Sequence, residues 1–413
     1  METHLADFIR DTPDGRDAES ILRACVHCGF CTATCPTYQL LGDELDGPRG
    51  RIYLIKQMLE GDAVTATTTL HLDRCLSCRS CETTCPSGVS FGRLLDIGHR
   101  VAEQKIERPS GERMRRWLLR KGLTHRPWFG LALAAGRIAR PLLPHALAAR
   151  IPAPRRAKRW PEPRHTRRML LLAGCVQPSL APSIDAALAR ALDRVDITLV
   201  RASGSGCCGA LSDHLGAHDE ALDYARANID AWWPHVEQGI EAIVVSASGC
   251  GVVVKEYGHL LRDDPAYADK ARRVAALARD SVEVIAAEWK RFAPQVAMDH
   301  GPQRVAFHSP CSLQHGQRLV GDVEEILEAI GLELTPVANS HLCCGSAGTY
   351  SILQPELAGE LRANKLAALE AGAPDVIATA NIGCLIHLAS AATPPVLHWV
   401  EIFESRLRER PRS

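Results

Sequence analysis

The chain has 413 residues, an apolar fraction of 46% and a formal net charge of zero. That length suffices for two or three domains with their own cores, and the neutral charge gives no indication of a nucleic-acid partner. We recognise neither a secretory signal nor an apolar run long enough for a transmembrane segment, so we expect a cytoplasmic protein. The 16 cysteines are unusual, and in a reducing compartment they indicate metal binding or catalysis rather than disulfides.

Residues 1–100 contain two dense cysteine runs. Both follow the pattern C-x2-C-x2-C-x3-C-P, which is that of bacterial two-cluster ferredoxins. Three cysteines of a run wrap one corner of a 4Fe-4S cube, and the fourth is held toward the other cluster. A pair of zinc sites is the alternative, but zinc has no use for four cysteines per run. We therefore expect two 4Fe-4S clusters, one held by Cys25, Cys28, Cys31 and Cys85, and the other by Cys75, Cys78, Cys81 and Cys35.

The segment between the two runs, residues 47–61, is predicted to be a helix. Pro48 suits an early helical position, apolar residues recur at helical spacing, and Gly61 ends the pattern. A linker of this length indicates the larger, helical type of two-cluster ferredoxin domain.

Residues 101–168 are predicted to form a basic, partly helical connector. From residue 100 to 168 there are 19 Lys and Arg, 4 Glu and no Asp, a local net charge of +15. Trp117 and Trp128 lie among arginines in segments typical of amphipathic helices, whereas the prolines of residues 151–168 favour an extended linker. Two interpretations stay open: a solvated connector, or a surface that contacts anionic lipid or an acidic partner.

Residues 169–413 alternate strand-like and helix-like segments, which predicts α/β layers with parallel strands. They also form an internal repeat, with copies at 169–300 and 301–413. In each copy a single cysteine is followed 32 residues later by a Cys-Cys-Gly triplet, and a further cysteine follows. The predicted fold class is thus α+β multidomain: a helical two-cluster ferredoxin domain in 1–100, the connector in 101–168, and a duplicated α/β CCG-repeat region.

The four cysteines of each repeat are expected to converge, because the carboxyl ends of parallel strands gather at one edge of a sheet. Convergence of thiols indicates a metal site, either a further iron–sulfur cluster or zinc. A reactive dithiol at the Cys-Cys pair and plain buried cysteines are the alternatives. The candidate metal ligands are Cys175, Cys207, Cys208 and Cys250 in the first repeat, and Cys311, Cys343, Cys344 and Cys384 in the second. Of the nearby histidines, His387 is the best candidate for an additional ligand, ahead of His308, His315 and His341.

A dinucleotide-binding loop is the competing interpretation of the first triplet. Gly204, Gly206 and Gly209 spell a literal G-x-G-x-x-G around the cysteine pair. The second copy, SHLCCGSAG, keeps the cysteines and lacks glycines at the first two positions. Because the duplication retains the cysteines, we predict a metal site here and no flavin or nicotinamide site on this chain.

Paired ferredoxin-type runs followed by two CCG repeats resemble the heterodisulfide-reductase-like iron–sulfur proteins. Within them the chain looks most like the glycolate oxidase iron–sulfur subunits. The stretches that carry the resemblance are PRGRIYLIKQMLEG, LLLAGCVQPSL, SGCCGALSDHLG and LCCGSAGTYSILQPELA. The chain departs from the reductases in one respect, because Cys250 and Cys384 are not followed by the second cysteine of a C-x-x-C pair. An ordinary cluster, a zinc ion and an empty site all remain open there.

The resemblance implies a role in oxidising glycolate to glyoxylate. FAD on a partner dehydrogenase subunit would take the hydride, and this chain, with no catalytic residue of its own, would carry electrons toward a quinone or another membrane acceptor. It would then lie in the cytoplasm, on the inner face of the membrane if it is peripheral. The alternatives are the equivalent subunit of a lactate or glycerol-3-phosphate dehydrogenase, and a thiol-disulfide reductase.

Overall fold

The computed structural model describes residues 1–144, 148, 151–297, 301 and 303–408. Part of the predicted connector (145–147 and 149–150), residues 298–300 and 302, and residues 409–413 lie outside the described residues. Among the residues described, no helix combines the length and apolar character needed to cross a bilayer.

The N-terminal part is helical. Its predicted central helix begins at Pro48 and ends at Glu60, and Gly61 closes it with φ of 107°. The apolar stripe of this helix packs against the helix that follows the second cysteine run, and Leu59 and Leu94 are completely buried between them. The helices are α1 (Asp7–Arg10), α2 (Pro13–Ala24), α3 (Pro36–Leu41), α4 (Pro48–Glu60), α5 (Ala66–Asp73), α6 (Ser80–Thr84) and α7 (Phe91–Lys105), with 3-10 turns at Phe30–Thr32 and Glu44–Asp46.

The connector contains two helices, α8 (Ser110–Thr124) and α9 (Arg126–Ala139), and a 3-10 turn at Arg140–Leu142. The described residues from 151 to 166 contain no helix or strand, as the prolines predict. The predicted linker is wrong at its last two residues, because Arg167 and Arg168 already pair with the neighbouring strand. Asp73, at the end of α5, forms ion pairs with Arg108 at 2.7 Å and with Arg116 at 2.6 Å. These ion pairs hold the start of α8 against the N-terminal helices.

Two four-stranded parallel sheets follow, and their topology is the same. The first has the order β2-β1-β3-β4 and the second β6-β5-β7-β8, so the predicted parallel strands and duplication are confirmed. In each sheet the first strand of the copy lies in the centre and connections run through helices, as parallel pairing requires. The strands are β1 (Arg167–Leu171), β2 (Ile197–Arg201), β3 (Ile243–Val245), β4 (Ala278–Asp280), β5 (Arg304–His308), β6 (Glu333–Leu334), β7 (Val376–Thr379) and β8 (Val396–His398).

The helices of the first copy are α10 (Gln177–Leu180), α11 (Pro182–Arg194), α12 (Ala210–His214), α13 (His218–Glu237), α14 (Ser248–Lys255), α15 (Tyr257–Leu260), α16 (Ala268–Leu277), α17 (Ser281–Ala287) and α18 (Trp289–Phe292), with a 3-10 turn at Ala293–Gln295. Those of the second copy are α19 (Asp322–Ala329), α20 (Tyr350–Leu353), α21 (Pro355–Glu370), α22 (Ile382–Ala389) and α23 (Trp399–Ser405), with a π-helical turn at Ser312–Gly316.

The two copies share one hydrophobic core. A single buried cluster contains residues of β1 and β2 together with residues of β5, β7 and α23. Phe292 of the first copy meets Phe403 of the second edge to face, with ring centroids 5.1 Å apart. Arg190 of α11 donates to Glu404 of α23 at 2.9 Å. The repeats are therefore packed as one body, and the edges that carry their cysteines are held at a fixed separation.

Candidate functional site

Four cysteines of the two dense runs line one cavity of the N-terminal part. They are Cys25, Cys28, Cys31 and Cys85, the set expected to hold the first cluster, and Cys81 borders the same cavity. Gly29, with φ of 84°, turns the chain into the 3-10 turn that carries Cys31. Arg49, at the start of α4, also borders the cavity and places a cation beside the thiols. Because the fourth cysteine of the set comes from the other run, folding is required to bring the set together.

The other four cysteines of these runs line a second, neighbouring cavity. They are Cys35, Cys75, Cys78 and Cys81, the set expected to hold the second cluster. Cys35 immediately precedes α3, and its sulfur lies 3.3 Å from the hydroxyl of Thr37. Thr37 in turn donates to the carbonyl of Asp46 at 2.8 Å. The position of Cys35 is thus coupled to a buried polar group below the cavity.

That buried polar group is centred on Asp46, whose side chain is completely buried. Its carboxylate accepts hydrogen bonds from Arg51 at 3.4 Å and from Arg74 at 2.9 Å, and His71 lies 3.0 Å away. Arg51 also donates to the carbonyl of His71 at 2.7 Å. Arg74 immediately precedes Cys75, so this network joins α4, α5 and the start of the second cysteine run.

The burial of these thiols fits metal ligation. Burial raises the pKa of Cys78 and Cys81 well above their usual range, and it raises the pKa of Cys31 to about 11. Thiolates bind metals and thiols do not, so buried cysteines ligate only where a cation offsets their charge. Bound iron would supply that charge, and the two sets of four cysteines offer the donors that 4Fe-4S clusters use.

The cysteines of the repeats lie at the carboxyl edges of the two sheets. In the first copy all four border one large cavity, and in the second copy all four border the same cavity. Two of these cysteines, Cys250 and Cys384, lie in the first turns of α14 and α22 and not at the ends of the strands themselves. Both helices begin within three residues of a strand, so their first turns still project over the sheet edge.

Within each copy the four sulfurs form a continuous series. Contact with Cys207, together with burial, raises the pKa of Cys175 well above its usual range. In the second copy the Sγ atoms of Cys311 and Cys343 are 3.9 Å apart, and contact with Cys343, together with burial, raises the pKa of Cys311. Thiols packed this closely share protons or a metal, which is the donor chemistry expected of an iron–sulfur or zinc site.

The glycine of each triplet is required by the backbone. Gly209 and Gly345 have φ of 95° and 88°, the left-handed region that disfavours side chains. A Cβ atom at Gly209 would lie 2.8 Å from the carbonyl oxygen of Ala221, and one at Gly345 would lie 2.8 Å from that of Ala358. The triplet is therefore a tight turn pressed against the following helix. It positions the two cysteines, and the close approach to the helix is a sufficient reason for the glycine.

We expect Gly345→Ala to destabilise the second repeat by about 3 kcal/mol, since it combines left-handed strain with a steric clash. Faster hydrogen exchange of the backbone amides of α21 and β5 measures this loss of stability. Gly348→Ala is the matched control, because Gly348 also has positive φ (61°) but nothing lies within 4 Å of a Cβ built there. Equal effects of both substitutions would mean that the close approach to Ala358 does not matter.

The histidines are not placed as expected. His387, the favoured candidate, interacts with the carbonyl of Ala358 at 3.2 Å. His315 lies 2.8 Å from the hydroxyl of Thr83 and 2.9 Å from the carbonyl of His341. It is His308 whose ring lies against the cysteines of the second repeat. Its position at the end of β5 could have been found by aligning the copies, because the first repeat has Leu172 there.

The N-terminal part docks on both repeats beside the second cavity. Arg79 lies between Cys78 and Cys81 and makes a two-point ion pair with Glu256 of the first repeat, at 2.5 and 2.9 Å. On the other side, Cys78 and Leu76 pack in one cluster with Cys311 and Cys343 of the second repeat. The large cavity of about 800 Å³ lies between these parts, bordered by Cys75, Cys78 and the cysteines of both repeats.

Three functional residues were missed from the sequence. Asp46 and Arg51 form the buried pair below the second cavity, and Lys365 donates to the carbonyls of Asn339 and Ser340 just before the second triplet. Lys365 is only 3% exposed and takes the place that Asn228 has in the first repeat. A polar residue within an otherwise buried helix face was the available signal for Arg51 and Lys365, whereas Asp46 ends a 3-10 turn just before α4.

Comparison with known proteins agrees with this architecture. Residues 21–89 match the 4Fe-4S dicluster domain family, and residues 169–255 and 305–389 match the Cysteine-rich domain family. A solved structure of a hypothetical protein from Helicobacter pylori shares the fold, with a TM-score of 0.54 and 10% identity over 96% of this chain and 73% of that one.

Three relatives indicate the family. The glycolate oxidase iron–sulfur subunit of Escherichia coli K12 is 55% identical over 99% of this chain and 100% of its own length. A probable glycolate oxidase iron–sulfur subunit of Bacillus subtilis is 29% identical over 90% of this chain and 89% of its own. Lactate utilization protein A of Bacillus licheniformis is 26% identical, but over only 57% of this chain and 98% of its own. The resemblance predicted from the motifs is confirmed, and the chain belongs to the family of glycolate oxidase iron–sulfur subunits.

Proposed function

We propose that this chain is the electron-transfer subunit of a glycolate dehydrogenase complex. It takes electrons from a flavoprotein subunit whose FAD oxidises glycolate to glyoxylate, and it passes them toward a quinone or another membrane acceptor. The observation that carries the proposal is 55% identity along essentially the whole chain to a glycolate oxidase iron–sulfur subunit. The lactate utilization proteins align with little more than half of it, which favours glycolate as the substrate of the complex.

The residues proposed to hold two 4Fe-4S clusters are the eight cysteines that line the first and second cavities. Such clusters supply reversible one-electron chemistry at potentials set by burial, charge and hydrogen bonds. The chain supplies the cations beside them, Arg49 at the first cavity and Arg51 at the second. A buried cation favours the more negative, reduced form of a cluster, and Arg51 is the buried cation of the two, since Arg49 is 39% exposed and paired with Glu44.

The cysteines of the two CCG repeats are proposed to hold further metal, as iron–sulfur or zinc. The packing of Cys78 against Cys311 and Cys343 makes the second repeat the nearest onward site from the N-terminal part. The order of the sites is then first cavity, second cavity and second repeat. The domain boundaries proposed from the sequence, near residues 100, 168 and 300, remain a prediction, and the first of them falls within α7.

Anaerobic purification from the native host tests the function. We expect brown protein with about eight irons or more per chain, a co-purifying flavoprotein, and an EPR signal that develops when glycolate is added. A colourless preparation would contradict the proposal. Reduction by lactate alone would reassign the substrate, and disulfide reduction by the isolated chain would identify a thiol-disulfide reductase instead.

The connector is proposed to place the chain on the inner face of an anionic membrane. Large apolar side chains are exposed along α8 and α9, including Trp117, Trp128, Leu131 and Ile138, and Ile138 is 80% exposed. They lie within the segment whose net charge is +15. Basic residues with exposed aromatic and aliphatic side chains are typical of helices that lie in the interface of anionic bilayers.

We expect the protein to float with vesicles that contain phosphatidylglycerol and not with pure phosphatidylcholine. The double substitution Trp128→Ser with Leu131→Ser should weaken that binding roughly tenfold, because it removes the apolar contact. Val320→Ser is the control, since Val320 is 71% exposed but lies in the second repeat. Equal flotation with both kinds of vesicle, or an equal effect of the control, would rule out this surface.

A further inference from the structure

Beside their cysteines, the two repeats carry different residues at a buried position, which lies just after β1 in the first repeat and at the end of β5 in the second. His308 and Leu172 occupy equivalent places, each three residues before the first cysteine of its copy. Leu172 is 5% exposed and belongs to the hydrophobic core of the first repeat. His308 is the last residue of β5 and is 1% exposed. The same place in the same fold therefore holds a hydrocarbon in one copy and an imidazole in the other.

The imidazole of His308 lies next to two of the thiols. One of its ring nitrogens and the sulfurs of Cys344 and Cys384 all lie within 4.8 Å of one another. Neither ring nitrogen has a hydrogen-bond partner among the residues that the structure describes. A ring nitrogen that faces two cysteine sulfurs has the position of a metal ligand.

A purely structural role accounts poorly for this histidine. A buried polar group without a partner costs about 1–3 kcal/mol, and nearly all such groups in proteins are satisfied. Leu172 shows that the fold accepts an apolar side chain at this position. Coordination of a metal would satisfy the ring nitrogen and remove the penalty.

We propose that His308 is a nitrogen ligand of a metal held by the cysteines of the second repeat, with Cys344 and Cys384 as its nearest partners. The second repeat then has a mixed imidazole and thiolate site, and the first has thiolates alone. Iron–sulfur clusters and zinc both accept this donor set. The inference rests on the metal-binding part of the proposed function, and it does not depend on the substrate or the flavoprotein.

The mixed donor set gives the second repeat a distinct electronic character. An imidazole ligand is neutral where a thiolate is negative, and histidine ligation raises the potential of iron–sulfur centres. Lys365 is buried in the same repeat and donates to the carbonyls of Asn339 and Ser340, just before the second triplet. If the metal is iron, the second repeat is therefore the better electron acceptor of the two, in agreement with its contact with Cys78.

Three variants in the full chain, purified without oxygen, test the ligand. His308→Leu copies the first repeat, His308→Cys offers a different ligand, and His387→Gln changes a neighbouring histidine outside the proposed set. Pulsed EPR of reduced protein detects nitrogen bound to iron, and X-ray absorption at the zinc edge detects nitrogen bound to zinc. We expect one directly bound nitrogen in the unchanged protein and in His387→Gln, and none in the two variants of His308.

Metal content separates ligation from folding. His308→Leu should weaken metal binding at the second repeat at least about tenfold, whereas His308→Cys should restore the metal without the nitrogen signal. The metal-free His308→Leu protein should melt no lower than the metal-free parent, because leucine removes an unsatisfied polar group. Full metal content and an unchanged nitrogen signal in His308→Leu would overturn the assignment. Failure of glycolate to reduce the complex would refute the proposed function and leave this signal intact.

Discussion

Cys78→Ala is expected to lower the iron content of the chain by about four atoms and to stop electron transfer through the complex. Cys78 borders the second cavity and packs against Cys311 and Cys343, so its loss removes a proposed ligand at the point where the N-terminal part meets the second repeat. Glycolate-dependent dye reduction by the reconstituted complex, together with iron and sulfide analysis, measures both effects. Activity should fall by orders of magnitude, because remaining sites are separated by the missing cluster.

The neighbouring Ser77 provides a control for Cys78. Its φ is 49°, so Ser77→Gly relieves backbone strain beside the same cavity without removing a thiol. We expect it to retain iron and activity. Hydrogen exchange in the two sheets should be unchanged in Cys78→Ala, since the shared core of the repeats contains no residue of the N-terminal part. Dye reduction at the normal rate by Cys78→Ala would show that electrons do not pass through the second cavity.

Asp46→Ala is expected to lower the free energy of unfolding of the N-terminal part by about 3–5 kcal/mol, the usual penalty for removing one partner of a buried ion pair. It would leave Arg51, whose side chain is 1% exposed, without its carboxylate. Arg74 would lose the same partner next to Cys75. Arg51 also donates to Thr37, which contacts the sulfur of Cys35. The substitution should therefore displace Cys35 and cause loss of iron from the second cluster as well. Hydrogen exchange in α4 and α5 and iron analysis measure the two consequences.

Asp43 is the matched control for Asp46. It is exposed, and its carboxylate accepts the backbone N–H of Leu45 at 2.9 Å as a local cap, at the edge of the buried group and within 4.8 Å of Asp46 and His71. Asp43→Ala should cost about 1 kcal/mol and leave the iron content unchanged. The losses of stability and of iron in Asp46→Asn should be intermediate between those of Asp43→Ala and Asp46→Ala, because asparagine keeps the shape of the side chain and loses its charge. A loss of iron in Asp43→Ala equal to that in Asp46→Ala would show that the buried pair has no special role.

The sequence predicts the local features of the fold well. Pro48 and Gly61 mark the ends of α4, because a fixed φ at the start and a positive φ at the end are properties of single residues. The parallel strands and their duplication follow from hydrophobic runs and the repeated cysteine spacing. Arg167 was placed in the linker because its charge masks a strand residue that is stabilised by pairing with Ile197.

The candidate sites, like the fold, could be predicted only in part from the sequence. Spacing within a run predicts which cysteines lie close together, and the structure places those sets around two cavities. Their role as ligands stays a prediction. Spacing also favoured His387, which is three residues from Cys384, over His308, which is 76 residues away in sequence. The structure reverses that order, because β5 and β7 are adjacent strands and their carboxyl ends meet at one edge.

The sequence by itself determined the family, the fold class and the grouping of the cysteines, because short-range spacing and the periodicity of apolar residues are written along the chain. Only the tertiary structure decided that the repeats share one core, that Asp46 and Arg51 pair below the second cavity, and that Cys78 contacts the second repeat. Each of these depends on contacts between segments distant in sequence, where packing and the pairing of buried charges select one arrangement. The same is true of His308, whose neighbours are set by strand order.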